Sequence, residues 1–67
     1  MQVVVNGKPT AVREGLTLEG LLAQLGVRRD YVAVALNREI AGRAGHATTV
    51  LRDGDRVEIV HPMAGGA

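Results

Sequence analysis

The chain has 67 residues, a net charge of +1, no cysteine and a single aromatic residue. This argues for one domain and excludes a disulfide or thiolate-metal staple. It also excludes the basic stripe and stacking aromatics of a nucleic-acid binder, and no run approaches the roughly 18 apolar residues of a membrane span. Aliphatic packing must hold a domain below the roughly 70–80 residues at which one core comfortably supports itself.

Met1 to Val5 passes directly into a strand pattern, which predicts no leader segment and a cytoplasmic protein by default. Gln2 to Val5 is the strand. Asn6-Gly7 then gives the strongest short-range hairpin signal, since both central positions of a type I′ turn take positive φ. Lys8 to Arg13 is the returning strand. Pro9, lacking a backbone donor, places it at a sheet edge, and Gly15 ends it. Thr17 is a helix N-cap with Glu19 in the first turn, where the macrodipole favours an acid. Leu18, Leu21, Leu22 and Leu25 fall at i, i+3, i+4 and i+7, one apolar face. Gly20 inside this helix costs about 1 kcal/mol relative to alanine, and its smallness suits a close approach to the sheet. Gly26 is the C-terminal stop.

Tyr31 to Leu36 is a continuous apolar run, the mark of a strand covered on both faces or lying centrally. Asn37 to Gly45 reads as a charged loop with room for a short strand at 39–41. Thr48 to Leu51 is weakly strand-like, and Arg52-Asp53-Gly54-Asp55 is a turn. Arg56 to Val60 alternates polar and apolar as the closing strand. One helix with one apolar face covers one face of a single mixed sheet. The fold class is therefore α+β, a β-grasp, ubiquitin-like domain of order ββαβ(β)β. It has four to five strands and one packed helix over residues 1–61. In such a fold the first and last long strands lie parallel and adjacent, and the C-terminus leaves at the sheet edge. Residues 62–67 read as a flexible tail, because Pro62 stops the ladder and Gly65-Gly66 is a thread without side chains.

Side chains able to do chemistry do not gather into a site. His46 and His61 lack ligand spacing and a nucleophile partner, so a surface or hydrogen-bonded structural role is expected. Asp53, Asp55 and Glu58 fall on a turn without further ligands. Arg28-Arg29-Asp30 follows the helix C-terminus, where cations are favoured. Gly42 to Gly45 lacks the lysine and helix of a nucleotide loop.

Asn6-Gly7, the Thr17-Leu18 helix start, the run from Val32 to Asn37, the stretch from His46 to Val60 and the Gly65-Gly66 ending carry a resemblance over essentially the whole length. The chain resembles the sulfur-carrier proteins of thiamine (thiazole) biosynthesis. Leu51-Arg52-Asp53-Gly54-Asp55-Arg56-Val57-Glu58-Ile59 is the most specific part. The resemblance implies a protein co-substrate rather than an enzyme. A ubiquitin-activating-like adenylyltransferase uses ATP and magnesium, which the carrier itself does not hold, to adenylate the terminal carboxylate. A sulfur donor such as a cysteine desulfurase then gives a thiocarboxylate, which thiazole synthase consumes. On this chain Gly66 becomes the attachment point, and Met63, Ala64, Gly65 and Gly66 form the thread that enters the partner's active site.

Ordering the thread opposes docking, so affinity must come from the folded body. Exposed apolar residues at the tail's root are the docking candidates, Val60 and Met63, whereas Ile59 belongs to the core. The family pattern ends at the second glycine, yet Ala67 follows here. The assignment of Gly66 is conditional on removal or absence of Ala67; activation on alanine would add a methyl at the reacting residue. Three alternatives stand beside this reading. They are a carrier for molybdopterin synthesis or tRNA thiolation, a β-grasp binding module that does not need the glycines, and a modifier joined to lysines.

Overall fold

The computed structural model describes residues 1–28, 30 and 32–61. Five strands form one sheet: β1 (Gln2–Val5), β2 (Lys8–Ala11), β3 (Ala33–Leu36), β4 (Glu39–Ala41) and β5 (Arg56–Val60). Their spatial order is β2-β1-β5-β3-β4. β1 and β5 are parallel, and every other neighbouring pair is antiparallel. The single α-helix among the described residues, α1 (Leu18–Gln24), supplies the buried leucines that cover one face. The α+β, β-grasp expectation therefore stands, with the optional strand present at β4.

Both hairpins close with two-residue loops. Val5 pairs with Lys8 across Asn6-Gly7, whose φ values are 49° and 83°. Leu36 pairs with Glu39 across Asn37-Arg38, with φ of 50° and 72°. The second loop has the backbone of the first without its glycine, so the segment read as a long loop opens with a tight hairpin turn. Pro9 lies on edge strand β2, opposite Val4, where a missing donor is harmless.

The helix is short, and both its ends are capped. Three orphan amides at its start, and the first donor of the helical ladder, find partners. Leu18 N donates to Thr49 O at 2.9 Å, Glu19 N to His46 O at 3.0 Å and Leu21 N to Thr17 O at 2.9 Å. Gly20 N donates to the Thr17 hydroxyl at 3.1 Å, the expected N-cap. At the other end Gly26 sits at φ 71°, with Gly26 N donating to Ala23 O and Val27 N to Leu22 O, the paired bonds of a Schellman stop. Because this turn begins immediately after Gln24, the apolar stripe is cut short. Leu25 is the C-cap and is 37% exposed rather than buried with its three partners. The close approach at Gly20 is real but has a different neighbour. A Cβ there would lie 2.6 Å from Leu16 Cδ1, in the segment leading into the helix, not against the sheet.

Leu18, Leu21 and Leu22 pack with Val3, Val5, Val34, Val57 and Ile59 of the sheet, and Val12, Leu16 and Leu51 seal the margins. β3 is interior to the sheet but covered on one face alone. Val34 is its only buried residue, since one helix has one face to offer. The weak strand signal at 48–51 yields an isolated bridge between Thr17 and Val50. The predicted turn at 52–55 is present, with Gly54 at φ 87°. Its acids are engaged with backbone and side-chain amides: Asp53 Oδ1 accepts from Gln2 N, Asp55 Oδ2 from Arg52 N and Asp55 Oδ1 from Asn37 Nδ2. No cluster able to hold a metal ion occurs among the described residues.

One placement is corrected. The C-terminus was expected to leave at the sheet edge, but the strand that leads to it is not an edge strand. β5 is the middle strand of five, flanked by β1 and β3, because it pairs in parallel with the first strand and antiparallel with the third.

Candidate functional site

The end of β5 is where the tail begins, and its residues alternate strictly. Arg56, Glu58 and Val60 face outward, while Val57 and Ile59 are buried. Val60, a predicted docking residue, is 56% exposed, and Ile59 is a core residue as expected. The register places Ala33 opposite Val60, Ala35 opposite Glu58 and Ile40 opposite Ala35. The open face of the sheet therefore carries an apolar strip through Val60, Ala33, Ala35 and Ile40, interrupted by Glu58. Ile40 is 79% exposed and was not singled out from sequence, because nothing local shows which face of β4 lies opposite the helix.

A cleft of about 230 Å³ opens over β1 and β5, bordered by Val4, Gly7, Arg38, Arg56 and Glu58. A second hollow, of about 280 Å³, lies at the tail's root and is bordered by His61, Gly26, Val27, Arg28 and Val32. Neither contains a nucleophile paired with a base.

The histidines divide as the sequence suggested. His61 is exposed at the end of the described chain. His46 is buried, 1% exposed, and its Nε2 lies 3.0 Å from Ala41 O. A carbonyl only accepts, so Nε2 carries the proton, while Nδ1 is buried without a hydrogen-bond partner. His46 thus ties the 3₁₀ turn at Arg43–Gly45 to β4. Asp30 pairs with Arg43 at 2.8 Å on the surface. Gly66, Gly65, Ala64 and Met63, the predicted attachment point and thread, lie outside the described residues, as do Pro62 and Ala67.

Asn6, which the sequence marked only as a turn former, reaches the backbone of β5 just before the tail's root. Its Oδ1 accepts from Ile59 N at 2.8 Å, and its Nδ2 donates to Ile59 O at 3.3 Å. No signal in a single sequence shows which strand a turn asparagine will reach.

A family model described as the ThiS family matches residues 3–66, nearly the whole chain. The chain belongs to the ThiS family. It is 44% identical over 64 residues to the sulfur carrier protein ThiS of Thermus thermophilus, covering 96% of this chain and 98% of that one. A crystal structure of the thiamine biosynthesis protein ThiS from Geobacter metallireducens superposes with a TM-score of 0.84. It is 41% identical, with 91% of this chain and 93% of that chain covered. A third relative is much longer. The thiazole synthase of Magnetococcus marinus is 39% identical over 66 residues, 98% of this chain but only 20% of that protein. The chain thus spans about a fifth of the thiazole synthases it matches. No helix among the described residues is long and apolar enough to cross a membrane.

Proposed function

We propose that this chain carries sulfur as a thiocarboxylate on Gly66 and delivers it to a thiazole synthase. The observation that carries this reading is the ThiS match, which runs through Gly65-Gly66 and stops before Ala67. Activation follows from the chemistry of a carboxylate, which is a poor acyl donor until its oxygen is esterified. An ATP- and magnesium-dependent adenylyltransferase lets a Gly66 carboxylate oxygen attack the α-phosphorus, and pyrophosphate leaves. The terminal sulfur of a persulfide on a donor such as a cysteine desulfurase then attacks the acyl carbon, AMP leaves, and a thiol reductant cleaves the S–S bond of the resulting acyl disulfide to free the thiocarboxylate. The carrier contributes no catalytic group; it contributes a thread thin enough to reach a nucleotide pocket. Six residues from His61 to Gly66 span at most about 20–22 Å when extended.

The longer relatives named thiazole synthase support that enzyme as the acceptor, since a segment like this chain occurs within them. They favour thiazole formation over molybdopterin synthesis or tRNA thiolation. Loading on Gly66 requires that Ala67 be removed first.

Intact-mass measurement tests this after incubation with the adenylyltransferase, ATP, magnesium and a sulfur donor. The chain ending at Gly66 gains about 16 Da, one oxygen replaced by sulfur. The same gain on a chain that retains Ala67 overturns Gly66 as the attachment point. No gain on either chain overturns the carrier role. Retention of a molybdopterin synthase large subunit instead of thiazole synthase in a pull-down overturns the acceptor.

A further inference from the structure

We propose that Asn6 is a positioning residue for sulfur loading: its carboxamide stands in for a missing peptide group of β1 and holds the root of the tail in line. This rests on the carrier reading above.

The argument begins with a gap in the ladder. In a parallel pair, successive bonds from one residue reach two different residues of its neighbour. Val4 N donates to Asp55 O at 2.8 Å, and Asn6 N donates to Val57 O at 2.9 Å. A regular ladder would continue with the Asn6 carbonyl accepting from Ile59 N. It does not, because Asn6 has already turned into the hairpin at φ 49°. Ile59 is 8% exposed, and its N–H and C=O point toward the flank that β1 has just vacated. Those two groups would be partly buried without partners, at a cost that few native sites tolerate.

The Asn6 side chain closes the gap. A carboxamide has the same acceptor and donor as a peptide group, in the same plane. Oδ1 takes the Ile59 amide at 2.8 Å, and Nδ2 reaches the Ile59 carbonyl at 3.3 Å. One residue thereby performs two tasks that usually exclude each other. Its left-handed backbone makes the turn, and its side chain extends the sheet past the turn. Asparagine is suited to both.

Position gives this clamp its consequence. Ile59 is followed by Val60, the last residue of β5, and then by His61 and the tail. On the other flank Ile59 and Val60 face Val34 and Ala33 of β3. With both flanks satisfied, the strand stays straight to its final residue. Without Asn6, the β1 flank ends at Val57, and the segment to be ordered on docking grows toward the sheet interior. Ordering each extra residue opposes productive binding.

The test uses the full chain with three variants: Asn6→Gly, Asn6→Asp and Thr17→Ala. Glycine keeps the left-handed turn and removes the clamp. Aspartate keeps an acceptor for Ile59 N but sets a second acceptor against Ile59 O. Thr17→Ala weakens the fold at the distant helix cap. The readouts are kcat/KM for thiocarboxylate formation and amide hydrogen exchange at Ile59, Val60 and Val57. Positioning predicts a fall of roughly ten-fold in kcat/KM for Asn6→Gly, a smaller fall for Asn6→Asp and none for Thr17→Ala. It also predicts faster exchange at Ile59 with Val57 unchanged. Equal kcat/KM for folded Asn6→Gly and wild type overturns the proposal, as does an equal fall in Thr17→Ala. Unchanged Ile59 exchange overturns the clamp itself. A wild-type chain that takes up no sulfur overturns the carrier role instead, and the exchange data still decide the clamp.

Discussion

Arg38 occupies the second position of a two-residue hairpin turn at φ 72°, a backbone region that L-residues avoid. The left-handed conformation costs an ordinary residue about 1–2 kcal/mol. Glycine at the same place carries no such strain but gives up about 0.5–1 kcal/mol of extra unfolded-state entropy. Nothing offsets the strain locally. Arg38 is exposed, and its side chain makes no hydrogen bond or ion pair with the described residues. Arg38→Gly is therefore expected to stabilise the domain by about 0.5–1 kcal/mol. At about 4–8 °C per kcal/mol for a domain of this size, Tm rises by roughly 2–8 °C. Thermal and urea unfolding of both chains by circular dichroism measures this. The first hairpin supplies the mirror experiment, because Gly7 sits at φ 83° and a Cβ added there would meet nothing within 4 Å. Gly7→Ala should lose about what Arg38→Gly gains. An unchanged or lowered Tm in Arg38→Gly, with the expected loss in Gly7→Ala, would refute the reasoning. It would mean that the arginine stabilises the folded state as much as its backbone strains it. Strain kept at the border of the β1–β5 cleft would then mark Arg38 for a role beyond the turn.

Thr17→Ala removes the acceptor for Gly20 N and should cost about 1 kcal/mol, visible as a lowered urea midpoint with an unchanged slope. An unchanged midpoint would show that water caps the helix equally well. Leu21→Ala, at a position fully buried beneath the helix, should cost about 2–5 kcal/mol. A domain of this length commands roughly 3–10 kcal/mol in all, so much of the variant should be unfolded at 37 °C by amide chemical-shift dispersion. Val60→Asp should leave Tm within about 2 °C, since the residue is more than half exposed, yet on the proposed carrier reading raise KM for an adenylyltransferase about ten-fold. An unaltered KM would remove Val60 from the docking surface.

Local chemistry carried far in this sequence, and long-range pairing did not. Thr17, Gly26, Asn6-Gly7 and Gly54 were legible because each acts within three or four residues, where side-chain size and hydrogen-bonding capacity decide the backbone. The Asn37-Arg38 turn was missed because arginine is a poor left-handed residue. Its conformation is imposed by the pairing of Leu36 with Glu39 and by Asn37, whose Oδ1 accepts from Arg56 N at 2.9 Å. Leu25 was expected on the buried face but is the exposed C-cap, since periodicity continues past a stop that the glycine after it enforces. The central place of β5 could be read from the parallel pairing of first and last strands only once β3 was known to flank it on the other side. Val60 and Ile59 were sorted correctly by alternation alone. Asn6 was found for its turn and not for its reach to Ile59, 53 residues away.

The middle position of β5 makes tail length a sharper variable than tail composition. A strand held on both flanks fixes where the thread starts. From His61 onward the reach of Gly66 is then set by the number of residues, at about 3.3–3.6 Å each when extended. Acyl transfer requires reacting atoms within roughly 3–3.5 Å, and a misplacement of about 1 Å can cost 100-fold. On the carrier reading, deleting Ala64 withdraws the terminal carboxylate by about one such step while leaving the folded body, and hence docking, intact. The expected result is a loss of thiocarboxylate formation of roughly 100-fold or more in kcat with KM nearly unchanged. Restoring length by inserting glycine after Pro62 should recover the rate, although the tail's sequence is then altered. Full activity in the chain lacking Ala64 would show that the root gives way by several ångströms. The folded domain would then serve as a tether, with no part in fixing the geometry of the reaction.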